Sequence, residues 1–201
     1  MFIETVEQLR SLYTAPKDRV VRKQLPALDV HCQRFIQLSP FVVVSSCGIN
    51  HAMDASPRGG APGFVRALND RTLLIPDAPG NNRLDTFENI IETGHVGLLF
   101  MIPGVDETLR VNGAARLSCS EEHRRVFSEE KRSPKLMIEI LVSEAYLHCP
   151  KAIMRSGLWQ TSSQIDRSIL PTILEMINNQ TGILVPVPSP EEMRANFTKD
   201  L

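Results

Sequence analysis

The segment from Thr108 to Ser118 alternates apolar and polar residues along its length. The apolar positions are Leu109, Val111, Ala115 and Leu117, and the polar positions are Thr108, Arg110, Asn112 and Arg116. A repeat of two residues is the period of a β-strand, whose side chains point alternately to opposite faces of a sheet. The sequence therefore predicts a strand with one face in the core and one polar face with room for a ligand.

Other segments predict further strands joined by turns. The run FVVVSSC from Phe41 is rich in β-branched residues, VGLLFMI follows at Val96, and residues 135–148 form a long, nearly continuous apolar stretch. The glycines and prolines of SPRGGAPG, residues 56–63, predict a loop. Short strands with only a few inserted helices favour a mainly antiparallel barrel with helical additions, an α+β fold, over an alternating βα fold.

Capping patterns mark the helices. Thr5 with Gln8 and Ser189 with Glu192 are capping boxes, and Asp29 is placed to cap a third helix. An internal helix is predicted to begin at the cap Asn82, to end at Gly94, and to bury its apolar side. That apolar side consists of Leu84, Phe87, Ile90 and Ile91. The expected organisation is an N-terminal helical extension over residues 1–40, a barrel domain over 41–160, and a C-terminal helical extension over 161–201 packed on the same domain.

Composition narrows the choice of partners and compartment. The 22 basic and 23 acidic residues leave a formal charge of −1, which offers phosphate polymers no general attraction. The apolar runs are far shorter than the ~20 residues that span a bilayer. Four scattered cysteines and the absence of a secretory leader predict reduced thiols and a cytoplasmic protein. The five histidines lack zinc-ligand spacing, so no metal site is predicted.

Four segments carry residues suited to binding an anionic ligand. In PGNNRLDTF, Asn81, Asn82 and Arg83 lie where a helix begins, and free N–H groups with the positive end of a helix dipole favour phosphate there. The other candidates are Arg58 in DASPRGGAPG, Arg110 with Asn112 on the alternating strand, and Lys151, Arg155 and Trp159 in HCPKAIMRSGLW. Taken one at a time, these segments are equally explained as a helix cap, a flexible loop, a solvated strand face and a basic surface helix.

The order and spacing of these segments resemble the pyridoxamine 5′-phosphate oxidase-like FMN-binding family, in particular its subgroup of FMN-dependent enzymes. The resemblance runs from about Phe41 to Trp159 and is carried by Ser-Pro-Arg-Gly, Pro-Gly-Asn-Asn-Arg and Arg-Val-Asn-Gly in series. It implies a split β-barrel homodimer that binds FMN in a cleft between its subunits. FMN would then supply oxidation-reduction chemistry for a small-molecule substrate.

The resemblance also assigns roles to individual residues. Asn82 and Arg83, with the neighbouring Asn81, would hold the phosphate, and Ser56 and Arg58 would lie close to the flavin. Arg110 and Asn112 would lie along the cleft. Lys151, Arg155 and Trp159 would approach from the C-terminal side, from the same subunit or the other one. No residue is assigned as a catalytic acid or base.

One departure limits the expected activity. Oxidases that make the vitamin B6 cofactor end with an Arg-x-His element, whereas this chain continues after Trp159 as QTSSQIDRSILPTI. Vitamin B6 oxidation is therefore not expected. Three alternatives stay open at this point: a non-catalytic module that stores, senses or carries flavin, a split barrel that holds haem or a deazaflavin, and a structural protein without a ligand.

Overall fold

The computed structural model describes residues 2–199, and its centre is one seven-stranded antiparallel sheet. The strands are β1 (Phe41–Cys47), β2 (Met53–Gly59), β3 (Arg66–Ala67), β4 (Thr72–Pro76), β5 (His95–Met101), β6 (Thr108–Ser118) and β7 (Met137–His148). Their order across the sheet is β2-β1-β5-β6-β7-β4-β3. The sheet is not closed, since β2 and β3 form its two edges. The predicted class, an antiparallel split barrel with added helices, is confirmed.

Residues 2–199 also form eight α-helices and two 3₁₀ helices. The α-helices are α1 (Val6–Ser11), α2 (Asp18–Arg22), α3 (Val30–Leu38), α4 (Asp85–Thr93), α5 (Glu121–Arg125), α6 (Lys151–Ser156), α7 (Ile173–Thr181) and α8 (Pro190–Thr198). The chain divides into two compact units, one up to Ser156 and one from Gly157. The first holds the sheet and α1 to α6. The packing of a C-terminal extension on the barrel domain stays a prediction.

The core is built from the buried faces of the central strands. Val44 of β1 lies opposite Leu98 of β5, which lies opposite Val111 of β6. Each of the three side chains is at most 2% exposed. In the alternating strand β6, Leu109 is also fully buried and Arg110 is exposed. The predicted two-faced strand is therefore confirmed.

A bulge divides β7 into two halves of opposite phase. Asn112 pairs with Glu144 whereas Gly113 pairs with Val142, so Ser143 is an extra residue on β7. The Ser143 hydroxyl donates to the carbonyl oxygen of Asn112 at 3.0 Å. Because of this extra residue, both Ala145 and Val142 face the core. A single strand of regular alternation would expose one of them.

The loop prediction for residues 56–63 is wrong in its first half. Strand β2 continues to Gly59 and pairs with β1 throughout, with Pro57 opposite Val43 and Arg58 opposite Val42. Because β2 is an edge strand, it can contain Pro57. The N–H that proline lacks is not needed for a hydrogen bond to a second neighbouring strand. By its composition the segment resembles a loop, but its first half is a strand whose polar side chains, Ser56 and Arg58, share one face.

The helix α4 begins later than expected. Its N-cap is Leu84, in the left-handed region at φ 61°, and Asn82 stands before it at φ 60°. The predicted cap at Asn82 is therefore wrong, because these two left-handed residues bend the chain and delay the helix. Leu84 and Ile91 are 50% and 75% exposed, so they are not on the buried side as predicted. Gly94 ends the helix as expected.

The other caps agree with the sequence. Thr5 and Ser189 form the predicted capping boxes of α1 and α8, and Asp29 caps α3 by accepting from the backbone N–H of Cys32. All four cysteines are free thiols. Among residues 2–199, each helix is too short or too polar to cross a bilayer, and this part of the chain holds no group of acidic, histidine and cysteine side chains suited to a metal ion.

Candidate functional site

A polar cluster joins the edge strand β2 to the first turn of α4. The carboxylate of Asp54 accepts hydrogen bonds from the hydroxyls of Thr86, at 2.6 Å, and Ser56, at 3.1 Å. Ser46 of β1 donates to the same carboxylate at 3.4 Å, and Asn89 donates to Ser46 at 3.0 Å. Residues from three elements are thereby fixed around one half-buried negative charge.

Arg58 is held within this cluster as a cation. Its guanidinium donates to the Thr86 hydroxyl at 3.2 Å and to the carbonyl oxygen of Pro57 at 2.9 Å. Its Cζ lies 6.0 Å from the centre of the Phe87 ring. Among the described residues no carboxylate lies within ion-pair distance of Arg58, which leaves part of its donor capacity free for an anion.

Arg83 stands at the start of α4, beside Arg58's cluster. It forms a two-bond ion pair with Asp85 in the first turn, with Nε–Oδ2 at 2.8 Å and Nη2–Oδ1 at 3.2 Å. Asn81 accepts from the backbone N–H of Arg83 at 3.1 Å, which stabilises the turn before the helix. The side chains of Asn81, Asn82 and Arg83 are all exposed, so this turn is open to a ligand.

Three ionisable groups at or near these arginines have shifted pKa values. The hydrogen bond from Arg83 holds the pKa of Asp85 below its ordinary value, and Asp54 adds to the effect of Asp85 in raising the pKa of Arg83. Burial raises the pKa of Asp77, which follows β4, while the backbone of Ala78 and the charges of Arg58 and Lys135 act in the opposite direction. Arg58 therefore lies close enough to Asp77, the residue that follows β4, for their charges to interact.

The structure places Arg110 and Asn112 on the opposite face of the sheet. Arg110 lies opposite Leu99 and Tyr146 in the register, and it donates to the Tyr146 hydroxyl at 2.9 Å. Asn112 donates to Glu144. Ser56 and Arg58 share the core-facing side with α4, so the fold of a single chain does not bring the two groups together.

The remaining candidates lie after β7. Lys151 and Arg155 are exposed on α6, one helical turn apart as predicted. Trp159 belongs to the second compact unit, which begins at Gly157. No hydrogen bond found among the described residues joins Lys151 or Arg155 to the Arg58 or Arg110 groups. Their assignment to a cofactor site stays a prediction.

Four residues of the cluster are not among the site residues predicted from the sequence: Asp54, Thr86, Ser46 and Asn89. The sequence does not single out Asp54 as a site residue, although Asp54, Ser56 and Arg58 follow the two-residue period of one strand face. Thr86 was overlooked because the helix was assigned an earlier start. Only tertiary structure reveals that Thr86 accepts from Arg58 while it donates to Asp54.

Replacement of Thr86 by valine tests the cluster. Thr86 is 2% exposed, and valine keeps its shape while it removes the hydroxyl that bridges Asp54 and Arg58. Buried polar groups that lose a partner cost about 1–3 kcal/mol, so Thr86→Val is expected to lower the free energy of unfolding in urea by that amount. The Thr86→Ser control keeps the hydroxyl and should lose less than half as much. Equal stabilities of the two variants would contradict the role of the bridge.

An open depression lies elsewhere on the same unit. It measures about 500 Å³ and is formed by α5 and the segment before β7, including Glu121, Arg124 and Lys135. It contains none of the residues predicted to bind a cofactor. The turn at residues 81–83 before α4 is exposed, and none of its residues lines this depression.

The match to a known protein family covers the part of the chain that contains most of the predicted site residues. The family model described as pyridoxamine 5′-phosphate oxidase matches residues 28–149, more than half of the 201-residue chain. This range includes Ser56, Arg58, the loop 81–83, Arg110 and Asn112, and it stops before Lys151. No curated protein matches the chain.

Solved structures share the fold at low sequence identity. A HupZ variant of Group A Streptococcus is 15% identical, with a TM-score of 0.51, and the match covers 60% of this chain and 99% of that chain. Another HupZ structure is 16% identical, with a TM-score of 0.50, and the match covers 59% and 91% of the two chains. An FMN-binding protein of Syntrophomonas wolfei is 14% identical with a TM-score of 0.44, covering 58% and 83%. From the extent of the family match, this chain belongs to the pyridoxamine 5′-phosphate oxidase family.

Proposed function

We propose that this protein is an FMN-binding flavoprotein that acts as an oxidoreductase on a small substrate. The observation that carries the proposal is the pair of arginines at the start of α4. Arg58, on β2, is half-buried and has no ion-pair partner among residues 2–199, and Arg83 is exposed in the turn before the helix. Family membership supports a flavin, and the arginine pair supports a phosphorylated one.

The residues at this position fit a phosphate group. The N-cap Leu84 makes no side-chain hydrogen bond to the helix, so the backbone N–H of Thr86 keeps its capacity for an anion, whereas that of Phe87 donates to the carbonyl oxygen of Leu84 at 2.8 Å. Arg58 and Arg83 add cationic donors from two directions. The hydroxyls of Ser56 and Thr86 donate to Asp54, so in this arrangement they position Arg58 and leave the phosphate to the arginines and the backbone.

Backbone strain before α4 also supports a binding role. Asn82 and Leu84 both adopt positive φ, at 60° and 61°. A leucine in this region costs roughly 1–2 kcal/mol, and such strain concentrates at ligand-binding segments. Here the strained turn contains Arg83 and leads directly into the first turn of α4, where Thr86 contacts Arg58.

A homodimer is part of the proposal. Arg58 and Arg110 lie on opposite faces of one sheet, so a flavin held near Arg58 reaches an Arg110 and an Asn112 only if a second subunit supplies them. The open surface at α4 supports the same conclusion. Light scattering of the purified protein is expected to give the mass of two subunits.

The bound flavin would supply electron or hydride transfer. Arg58 and Arg83 would hold its phosphate, and Asp54 with Thr86 would keep Arg58 in place. No described side chain in the cluster is placed as an acid or base for a substrate, because the Asp54 carboxylate is engaged by its three hydroxyl donors. Vitamin B6 oxidation is not proposed, since the Arg-x-His element is missing after Trp159.

Titration with FMN tests the proposal. Wild-type protein should bind FMN saturably and show a flavin spectrum, and Arg83→Ala should weaken binding by about tenfold, since one charge-assisted phosphate contact is lost. Arg116→Ala is the matched control. Both arginines are exposed and form two-bond ion pairs, at 74% and 77% side-chain exposure, but Arg116 pairs with Glu139 away from α4.

The outcomes separate the alternatives. A haem or deazaflavin spectrum of the purified protein would contradict FMN as the cofactor. Equal loss of FMN affinity in Arg83→Ala and Arg116→Ala would contradict the phosphate position. Saturable FMN binding without reduction of the flavin by any electron donor tested would favour a protein that binds flavin without turnover.

A further inference from the structure

Residues 2–24 form an N-terminal arm that lies outside the core of the first unit. The arm contains α1 and α2, and each of its residues is exposed. Eight of them carry large apolar side chains with exposed fractions between 45% and 88%: Phe2, Ile3, Val6, Leu9, Leu12, Tyr13, Val20 and Val21. The arm therefore presents an apolar surface that its own chain leaves uncovered.

The helices of the arm need a surface to pack on. α1 has six residues and α2 has five, whereas isolated helices shorter than about 12–15 residues are marginal in water. The capping box at Thr5 stabilises the first turn of α1 but buries no side chain. The arm joins the sheet at its end, where Leu25 and Ala145 exchange backbone hydrogen bonds at 2.9 and 2.8 Å. Its apolar part extends from this anchor without packing on the core.

A second uncovered apolar surface lies on the outer face of α4. The inner side of this helix packs on β1. On the outer side, Ile91 is 75% exposed, and Glu88 lies three residues before it on the same face. Ile49, at the end of β1, is 74% exposed, and its backbone N–H donates to Glu92 at 2.9 Å. The outer face of α4 is therefore apolar with an acidic border.

Charge and area fit the arm to this face. The second half of the arm is basic, with Lys17, Arg19, Arg22 and Lys23 against one acidic residue, Asp18. A basic apolar surface and an acidic apolar surface are complementary. A large apolar side chain offers roughly 60–120 Å² for burial, so the eight in the arm offer on the order of 500–800 Å². Each partner in an interface of standard size contributes about 800 Å².

We infer that the N-terminal arm of one subunit packs on the outer face of α4 of a second copy of this chain, and that the second copy returns the same contact. In a single chain the arm and the outer face of α4 are both exposed, so the arm does not cover its own helix. A reciprocal exchange of arms closes the assembly at two subunits. The inference rests on the homodimer of the proposed function and adds the segment that fastens it.

Cross-linking of the full chain tests this arrangement. The two exposed thiols, Cys119 and Cys149, are first replaced by serine. Val21→Cys and Ile91→Cys are then introduced together, and the protein is treated with a short bismaleimide. A denaturing gel should show a product of two chains, in which mass spectrometry finds a link between positions 21 and 91. The control combines Val21→Cys with Val30→Cys, since Val30 on α3 is 71% exposed, and should give at most a tenth of this two-chain product.

Hydrogen exchange of the arm gives an independent measurement. Amides of short helices exchange slowly only where another surface covers them. Ile91→Glu should therefore make the amides of α1 and α2 exchange at least about tenfold faster than in wild type, because it places a charge in the apolar contact. Val30→Glu is the matched control and should leave the exchange of the arm unchanged.

The outcomes separate the inference from the proposed function. A link between positions 21 and 91 within one chain would place the arm on its own helix and overturn the inference. Absence of the link in a protein that forms dimers and binds FMN would overturn the inference and leave the proposed function standing. The expected link in a protein that binds no FMN would support the arm contact and contradict the proposed function. Equal exchange of the arm in wild type and Ile91→Glu would also overturn the inference.

Discussion

Replacement of Gly113 by alanine is expected to lower the free energy of unfolding by about 3 kcal/mol. A Cβ atom at this position would collide with the backbone carbonyl of Leu141 and approach Ile140 Cγ2 at 3.1 Å. Backbone atoms in the middle of a sheet cannot turn aside as a flexible side chain does, so β6 and β7 must separate at the bulge. Thermal unfolding should show a decrease of roughly 6–12 °C in Tm.

Gly80→Ala is the control for this prediction. A Cβ atom at Gly80 meets nothing within 4 Å, and its backbone is not in the left-handed region. This variant should stay within about 0.5 kcal/mol of wild type. If Gly113→Ala unfolds at the same urea concentration as Gly80→Ala, the close approach of β6 and β7 at Leu141 is wrong.

Arg58→Gln is expected to weaken FMN binding by about 2–3 kcal/mol, which is roughly 30- to 150-fold. The effect should exceed that of Arg83→Ala for two reasons. Arg58 is half-buried and free of carboxylates within ion-pair distance among the described residues, whereas Arg83 is exposed and already paired with Asp85. Fluorescence of FMN during titration, which changes when the flavin is bound, gives the dissociation constants of all variants.

Arg124→Gln controls for loss of a partly buried arginine. Arg124 is 33% exposed and pairs with Glu121 on α5, outside the cluster at α4. Its removal should leave FMN affinity within about twofold of wild type, since distant surface changes have small effects. Matching losses in Arg58→Gln and Arg124→Gln, or unchanged affinity in both, would show that Arg58 does not contact the phosphate.

Much of the fold followed from local periodicity. The alternation of β6 and the β-branched run of β1 identified central strands, and the capping boxes at Thr5 and Ser189 located two helices. The second half of the edge strand β2 was not predicted. The glycine and proline of SPRG indicate only a local backbone preference, whereas pairing with β1 makes this segment a strand. Tertiary pairing outweighs local propensity where a neighbouring strand offers hydrogen bonds.

The candidate site could be predicted only in part. Arg58, Arg83 and Arg110 were recognised as candidates from residue type and order, but no local pattern states which face of the sheet each occupies. The face of Arg58 depends on its register with Val42, and that of Arg110 on its register with Leu99. The Nζ atom of Lys23 lies 5.5 Å from the centre of the Tyr146 ring, although the two residues are more than 120 positions apart in the chain. Such proximity is a product of folding and leaves no local signal.

The extra residue on β7 determines which molecular surface carries Tyr146 and His148. If Ser143 were paired regularly and formed no bulge, a strand that kept Val142 and Ile140 inside would turn Tyr146 toward the interior and Ala145 toward solvent, because a shift of one residue exchanges the faces of a strand. A phenol and an imidazole would then replace a methyl group in the apolar centre. The bulge at this one serine thus allows β7 to place apolar side chains in the core while Tyr146 and His148 lie on the opposite face.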